Sequence, residues 1–584
     1  MNKFLFFLLF ILCSANTLNA QKPLITHWTI NSYNKIEIIT SGAFNYKYKK
    51  YGSPNESIMY SSPGGVTTIN LPNSGGDYVV SLYPVGTNPF RLYPTNLENQ
   101  SLISKQTFRG ISQWGDVNWF SDLSGMFSNC SQGISFSATD SPNFSNVTNM
   151  SRLFFWTQIH GDISNWDVSN VTKMSEMFEF SNAPFTGLEN WNVSKVADMS
   201  DMFYDSNLNL DISNWNVSNV TNMNRMFMNA RSFNQSIGNW NVSKVTNMGS
   251  MFSGARAFNQ NIGNWDVSNV TTMSGMFSVN SSPGSSVFNQ DISNWNVSNV
   301  TSMSGMFMGA TAFNQNIGNW NVSKVTNMDA MFASTLNNTE GLTFNQDISN
   351  WDVSKVTSMS RMFSNAKSFN QDISSWNVSN VTKMTQMFSG ATVFNQNIGN
   401  WNVSKVYSME WMFSDATAFN QNLGNWKLNN NVSLAFILDK AGFLCQNYAL
   451  TLKGWAENPS TPTNKNLGAT NVKYGTVGKT YRDLLTTQKG WTISGDIFEP
   501  SCNDALSTNE NSLSEKLNFY PNPTTGRIFY QSQADEQVQI SNTAGQLLKT
   551  VKVTKGTNQI DVSEFPKGVY FLKAGIKTSK LVKN

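Results

Sequence analysis

Tryptophan falls at positions 166, 191, 215, 240, 265, 295, 320, 351, 376, 401 and 426, so the step is 25 residues apart from one of 24, one of 30 and one of 31. A period of this length, held over so many copies, restricts the chain to architectures that stack one small unit on the next. In the copy opening at Trp240 the apolar residues are Val242, Val245, Met248, Met251, Phe252, Ala255, Phe258 and Ile262, set among Asn, Ser, Gly, Gln and Lys. Val245, Met248, Met251, Phe252 and Ala255 step by three, three, one and three, which predicts one face of a short helix with Ser243 as its N-cap. From Phe258 to Val267 that face is missing and Trp265 alternates with Val267, which predicts a short extended segment. A lone coil of this size buries too little to offset the ordering of its backbone, so its neighbours must complete its core.

The fold class expected is therefore α/β: a leucine-rich-repeat-like solenoid of about twelve 25-residue strand-helix coils, flanked by small β-sandwich domains at both ends. Met-Phe pairs mark the coils from Met126-Phe127, through the variant Leu153-Phe154, to Met412-Phe413, and place the array at 109–429. At Lys427-Leu428 the Asp/Asn-Val of the other copies is lost, and 430–502 reads as a cap that shields the last coil. Residues 503–514 are polar and form a linker. Short alternating apolar runs broken by Gly, Pro and Asn predict β-sandwiches at 21–108 and at 515–584. Residues 1–20, with Lys3, the apolar run Phe4 to Leu12 and an Ala20 cut, read as a signal peptide. That run is shorter than the roughly 20 residues a membrane helix needs, and no transmembrane segment is expected in the mature chain.

Several polar columns run through the array. Asn234, Asn259, Asn289, Asn314, Asn345, Asn370, Asn395 and Asn420 follow a Phe in each copy and predict a side-chain ladder along the stack. Two residues on, Asp291, Asn316, Asp347, Asp372, Asn397 and Asn422 share a slot. Neutral residues interrupt these carboxylates and no DxDxDG loop occurs, so no metal is expected. The N-V-S and N-V-T triplets are the repeat consensus itself. Extra residues at Val279 to Val287 and Ser334 to Thr343 enter at the same point of the coil and emerge on the same side.

Composition narrows the function. Charged residues are 13% of the chain, about half the usual share, and the net charge is +3, which argues against nucleic-acid binding driven by counterion release. Of four cysteines, Cys13 lies in the signal peptide, Cys130 occupies a slot that Ala fills elsewhere, and Cys445 and Cys502 flank the array's end, where a disulfide would hold the cap. His27 and His160 are the only histidines and lie outside any zinc spacing. No GxSxG, P-loop or dinucleotide-binding motif is present, and no cofactor is expected. Near-identical copies also argue against an enzyme, because an active site needs one unique arrangement whereas copying repeats the same residues along a surface.

Two resemblances sharpen this reading. The tail sequence Tyr520-Pro521-Asn522-Pro523 with Gly526, then Gly545, Ile560-Asp561 and Gly568-Val569-Tyr570, closely resembles the C-terminal sorting domain of the type IX (Por) secretion system of Bacteroidetes. That resemblance implies type IX machinery as a partner, passage through the outer membrane, and a cell-surface or extracellular location. The consensus FNQ-x-I-[SG]-NW-[ND]-VS-[NK]-VT-x-M-x-x-MF-x-x-A resembles the BspA-like leucine-rich-repeat family of bacterial surface proteins, which implies surface location and adhesion. The function expected is non-enzymatic binding of a glycan, a matrix protein or another cell through one solenoid face. A passive spacer or surface coat and a secreted hydrolase are the alternatives. A binder predicts a solvent-facing patch of aromatic or variable residues, and a spacer predicts uniform polar faces.

Overall fold

The structure, a computed structural model, describes residues 21–30, 35–71, 75–93, 102–182, 185–279, 286–334, 341–504, 517, 519–532, 534–543, 546–575 and 577–584. The expected signal peptide with Cys13, most of both insertions, almost all of the linker and Gly545 lie outside these residues. The chain divides into two compact units, Met1–Asp504 and Ala505–Asn584.

The repeat array contains no α-helix among the described residues. In the copy from Trp240, alternate amides leave the coil. Met248, Ser250, Phe252 and Gly254 donate to Thr272, Ser274, Met276 and Ser278 of the next coil at 3.2, 2.8, 2.9 and 2.7 Å. The amides between them turn back three residues, Met251 to Met248, Ser253 to Ser250 and Ala255 to Phe252, at 3.2, 3.1 and 3.0 Å. Two left-handed residues, Ser250 at φ 52° and Gly254 at φ 72°, make this possible. A left-handed residue every fourth position stops a right-handed helix from forming, so the expected helix is replaced by a ribbon of linked turns. The apolar spacing is common to both, because each sends Met248, Met251, Phe252 and Ala255 to one side. Ser243 is not a helix cap. Its amide donates to Asn241 Oδ1 at 3.1 Å, and the N-V-S triplet is an Asx turn.

Neighbouring coils meet in one-residue parallel bridges at every step from Asp122 through Asn247 and Thr272 to Ser433. The extended pairing therefore lies just before the first Met, and not at Trp265 and Val267 as the alternation suggested. The ladder also passes the expected end of the array. Trp411 and Phe413 donate to Ala435 and Ile437, which gives a thirteenth turn of chain at Leu434 to Leu438.

The interior is a set of columns. Trp320 is 3% exposed, and its indole Nε1 donates to Ile292 O of the preceding coil at 3.1 Å, as the other array tryptophans from Trp191 to Trp426 do to their own neighbours. Each buried indole N–H of the 25-residue column from Trp191 to Trp426 thus has a partner, whereas that of Trp119 at the start of the array has none among the described residues. Phe307 stacks on Phe332 at 5.7 Å and packs against Phe313 at 3.9 Å. On the outer corner the asparagine ladder holds: Asn259 N donates to Asn234 Oδ1 at 3.0 Å and Gln260 Nε2 to Asn234 O at 3.0 Å, and the same bonds recur up the stack.

The residues before the array share its sheet. The strand Leu24–Ile30 pairs antiparallel with Gly76–Pro84 and with Phe108–Gln113, and Phe108–Gln113 then pairs parallel with Ile134–Phe136, which leads on to Ile159–Asp162 and Phe185–Thr186. Instead of a separate sandwich at 21–108, one eight-stranded sheet runs into the first coils. It covers their open end, where Phe108 stacks on Phe127 at 5.6 Å. At the other end Leu438 and Lys440 donate to Gly468 and Thr470 of the region expected as a cap. Two helices, Cys445–Glu457 and Thr476–Gln488, pack there, and Cys445 is joined to Cys502 with Cα atoms 6.1 Å apart. Buried Asp496 is held there by Arg482 at 2.8 and 2.9 Å and by Tyr448 Oη at 3.2 Å. In the second unit a three-stranded and a four-stranded antiparallel sheet enclose Ile528, Val538, Ile540, Ile560 and Leu572.

Candidate functional site

The turn ribbon has an inner side of Met and Phe and an outer side whose residues change from coil to coil. The first left-handed slot holds in turn Arg152, Glu176, Asp201, Arg225, Ser250, Gly275, Gly305, Ala330, Arg361, Gln386, Trp411 and Phe436, all at φ between 52° and 65°. Nothing in the coil's packing selects these side chains, so this face is where chemistry can vary at little cost to the fold. In the middle of the array it is small. Near its start it is aromatic and charged.

Leu153-Phe154 fills the interior slot, so Phe155 and Trp156 lie one and two residues beyond it, and Trp156 is 59% exposed. Phe180 of the next coil sits 5.2 Å from Trp156 with the planes inclined at 33°, and Tyr204 of the following coil meets Phe180 edge-on at 5.4 Å. Phe155 completes the group, 6.1 Å from Phe180. Cations bracket the rings. Arg152 lies 4.3 Å over Phe155 and 3.3 Å from Glu176, while Arg225 lies 4.7 Å over Tyr204 and 2.9 Å from Asp201. The Arg225 N–H is not aimed at the carboxylate, so that contact is electrostatic and not a hydrogen bond. Glu179, 8% exposed, is pushed up to about 7 by burial and then by Glu176 and Asp201, against the pull of Arg225. Asp201 is raised for the same first reason, burial, with Arg225 opposing it.

A second platform sits at the far end of the same face. Trp411 and Phe436 are 40% and 45% exposed and stack at 4.9 Å with planes 12° apart. Lys440 and Asp415 pair beside them at 3.6 Å. Both insertions leave the coil at Val279 and Ser334, in the slot that Trp156 fills in its own coil.

The other residues singled out in the sequence have structural roles. Asp291, Asn316, Asp347, Asp372, Asn397 and Asn422 each accept the amide two residues on, between 2.8 and 3.0 Å. These Ser amides and hydroxyls hold Asp291 and Asp347 below the usual carboxylate range. No group of metal-ligating side chains occurs among the described residues. Cys130 is fully buried, which pushes its thiol up to about 12. In the tail, Asn522 Nδ2 donates to Lys580 O at 2.8 Å and its Oδ1 accepts from Val582 N at 2.8 Å, which clips the Tyr520 to Pro523 loop to the last strand. Gly526 lies against Ser563, Tyr570 Oη donates to Pro566 O at 2.7 Å, and Gly568 begins the strand Gly568–Ala574.

The repeat geometry has a counterpart among known families. Four overlapping matches, at 121–235, 179–283, 282–342 and 334–450, are to the family described as Mycoplasma protein of unknown function, DUF285. The chain belongs to this family. Residues 518–584 match the secretion system C-terminal sorting domain, which implies handling by the type IX machinery and export to the cell surface or beyond. The chain matches no curated protein. No helix among the described residues is long and apolar enough to cross a membrane.

Proposed function

We propose that this DUF285 member is a non-enzymatic surface adhesin that binds a carbohydrate chain, presented by a matrix protein or another cell, through the outer side of its turn ribbon. The observation that carries this reading is the ring group formed by exposed Trp156 and half-buried Phe155, Phe180 and Tyr204, flanked by paired Arg and carboxylate side chains. Flat rings cover the apolar faces of sugars, and charged groups at their edges exchange hydrogen bonds with hydroxyls. The resemblance of the 25-residue consensus to BspA-like repeats supports the same surface role. The small residues of the middle coils, from Ser250 to Ala330, favour a spacer function for that stretch, holding the two aromatic platforms apart. The test is binding of the purified protein to arrays of glycans and matrix proteins. Saturable binding to a set of ligands sharing one glycan is expected. Binding to matrix proteins that persists after their glycans are removed would contradict it.

A further inference from the structure

A separate cavity opens where the first strand meets the start of the array. Its volume is about 360 Å³, and its lining includes His27, Tyr51, Asp77, Arg109, Ser135 and Ser137. Arg109 Nη1 donates to Gln106 O at 2.7 Å and to Phe108 O at 2.9 Å, which fixes the guanidinium in place. Its other nitrogens have no partner among the described residues, and Arg109 forms no ion pair there. Asp77 is likewise without an ion pair, its Oδ1 held at 2.6 Å by the Thr29 hydroxyl. A cation and a carboxylate thus line one cavity without a direct ion pair, Asp77 acting on the guanidinium only at a distance, where it opposes the lowering that burial imposes on Arg109. Burial holds His27 below the ordinary imidazole range, more than Asp77 raises it, and its Nε2 meets Ser112 Oγ at 2.7 Å. Tyr51, 66% exposed, stands edge-on to it at 6.1 Å and supplies an apolar wall.

We propose that this cavity binds a small zwitterion, an α-amino acid with an aromatic or large apolar side chain, its carboxylate on Arg109, its ammonium on Asp77 and its side chain against Tyr51 and His27. The lone guanidinium offers a fork that matches a carboxylate. A ligand carrying one charge alone would leave the opposite protein charge unpaired, and that is the source of selectivity. This site is independent of the ribbon face.

The test is a ranking on the purified protein at pH 7.5, by calorimetry or ligand-observed NMR, of L-phenylalanine, phenylacetate and phenethylamine. L-Phenylalanine is expected to bind about tenfold or more tighter than either single-charge analogue. Arg109→Met is expected to reduce it to the level of phenethylamine, and Asp77→Asn to that of phenylacetate. Equal affinities for the three, or no saturable binding of L-phenylalanine, would overturn the proposal. The ranking on the unaltered protein decides the matter even if a variant fails to fold.

Discussion

The coils carrying Trp156 and Phe180 and those carrying Ser250 to Ala330 share one interior and one bond pattern, yet present opposite surfaces. In both, the Met and Phe columns are buried and alternate ribbon amides bond to the next coil. In the first set the outer slots hold Arg152, Trp156, Glu176 and Phe180. In the second the same slots hold Ser250, Gly254, Gly275, Gly305, Gly309 and Ala330. The stack therefore tolerates any outer side chain, and a large exposed ring there does not serve the fold. Function is to be sought where copies differ, and stability where they agree.

This contrast can be broken most sharply from the inside. Trp320→Ala removes a buried ring and leaves Ile292 O without its donor, and a loss of about 3 to 5 kcal/mol is expected in thermal or denaturant unfolding. An unchanged transition would refute the interior assignment. Asn314→Ala takes away the acceptor of Asn345 N and Gln346 Nε2, and about 1 to 2 kcal/mol should be lost by the same assay.

On the outer side the effects are smaller and of different sign. Folded Glu179 keeps its proton up to about 7, whereas the unfolded chain releases it in the ordinary carboxylate range. Its contribution to stability therefore falls as pH rises across that window and stays low above it. Glu179→Gln removes the penalty, so the variant should gain about 1 kcal/mol over the parent near pH 8, solvent screening included, and nothing near pH 4, as read from melting curves at the two pH values. Ala330 sits at φ 53° in a slot that Gly275 and Gly305 also fill, so Ala330→Gly should gain about 0.5 kcal/mol, left-handed strain relieved against extra chain entropy. Trp156→Ala is expected to change stability by less than about 0.5 kcal/mol.

The stacking, the buried Trp column and the asparagine ladder were legible from spacing alone, because each repeats a side chain whose environment repeats with it, and the sorting tail was legible from its resemblance to a known domain. The helix was not. Met248, Met251, Phe252 and Ala255 satisfy a helical face and a turn ribbon equally, and the residue that decides, Ser250, carries no mark of its left-handed backbone. Gly275 and Gly305 in the same slot were the available signal. The candidate face was missed for a related reason. With a helix assumed, Phe155 and Trp156 merge into the apolar register, whereas counting from Leu153-Phe154 puts them just beyond the interior slot, where most other copies have Ser, Gly, Met or Asn. The shared N-terminal sheet was hidden because strand runs do not disclose which neighbour they pair with.

The most direct test of the account is to measure, on one preparation, the melting temperature and glycan affinity of Trp156→Ala/Phe180→Ala beside the parent. The account predicts an unchanged melting temperature with binding weakened about a hundredfold. Full affinity in a folded double variant would contradict it.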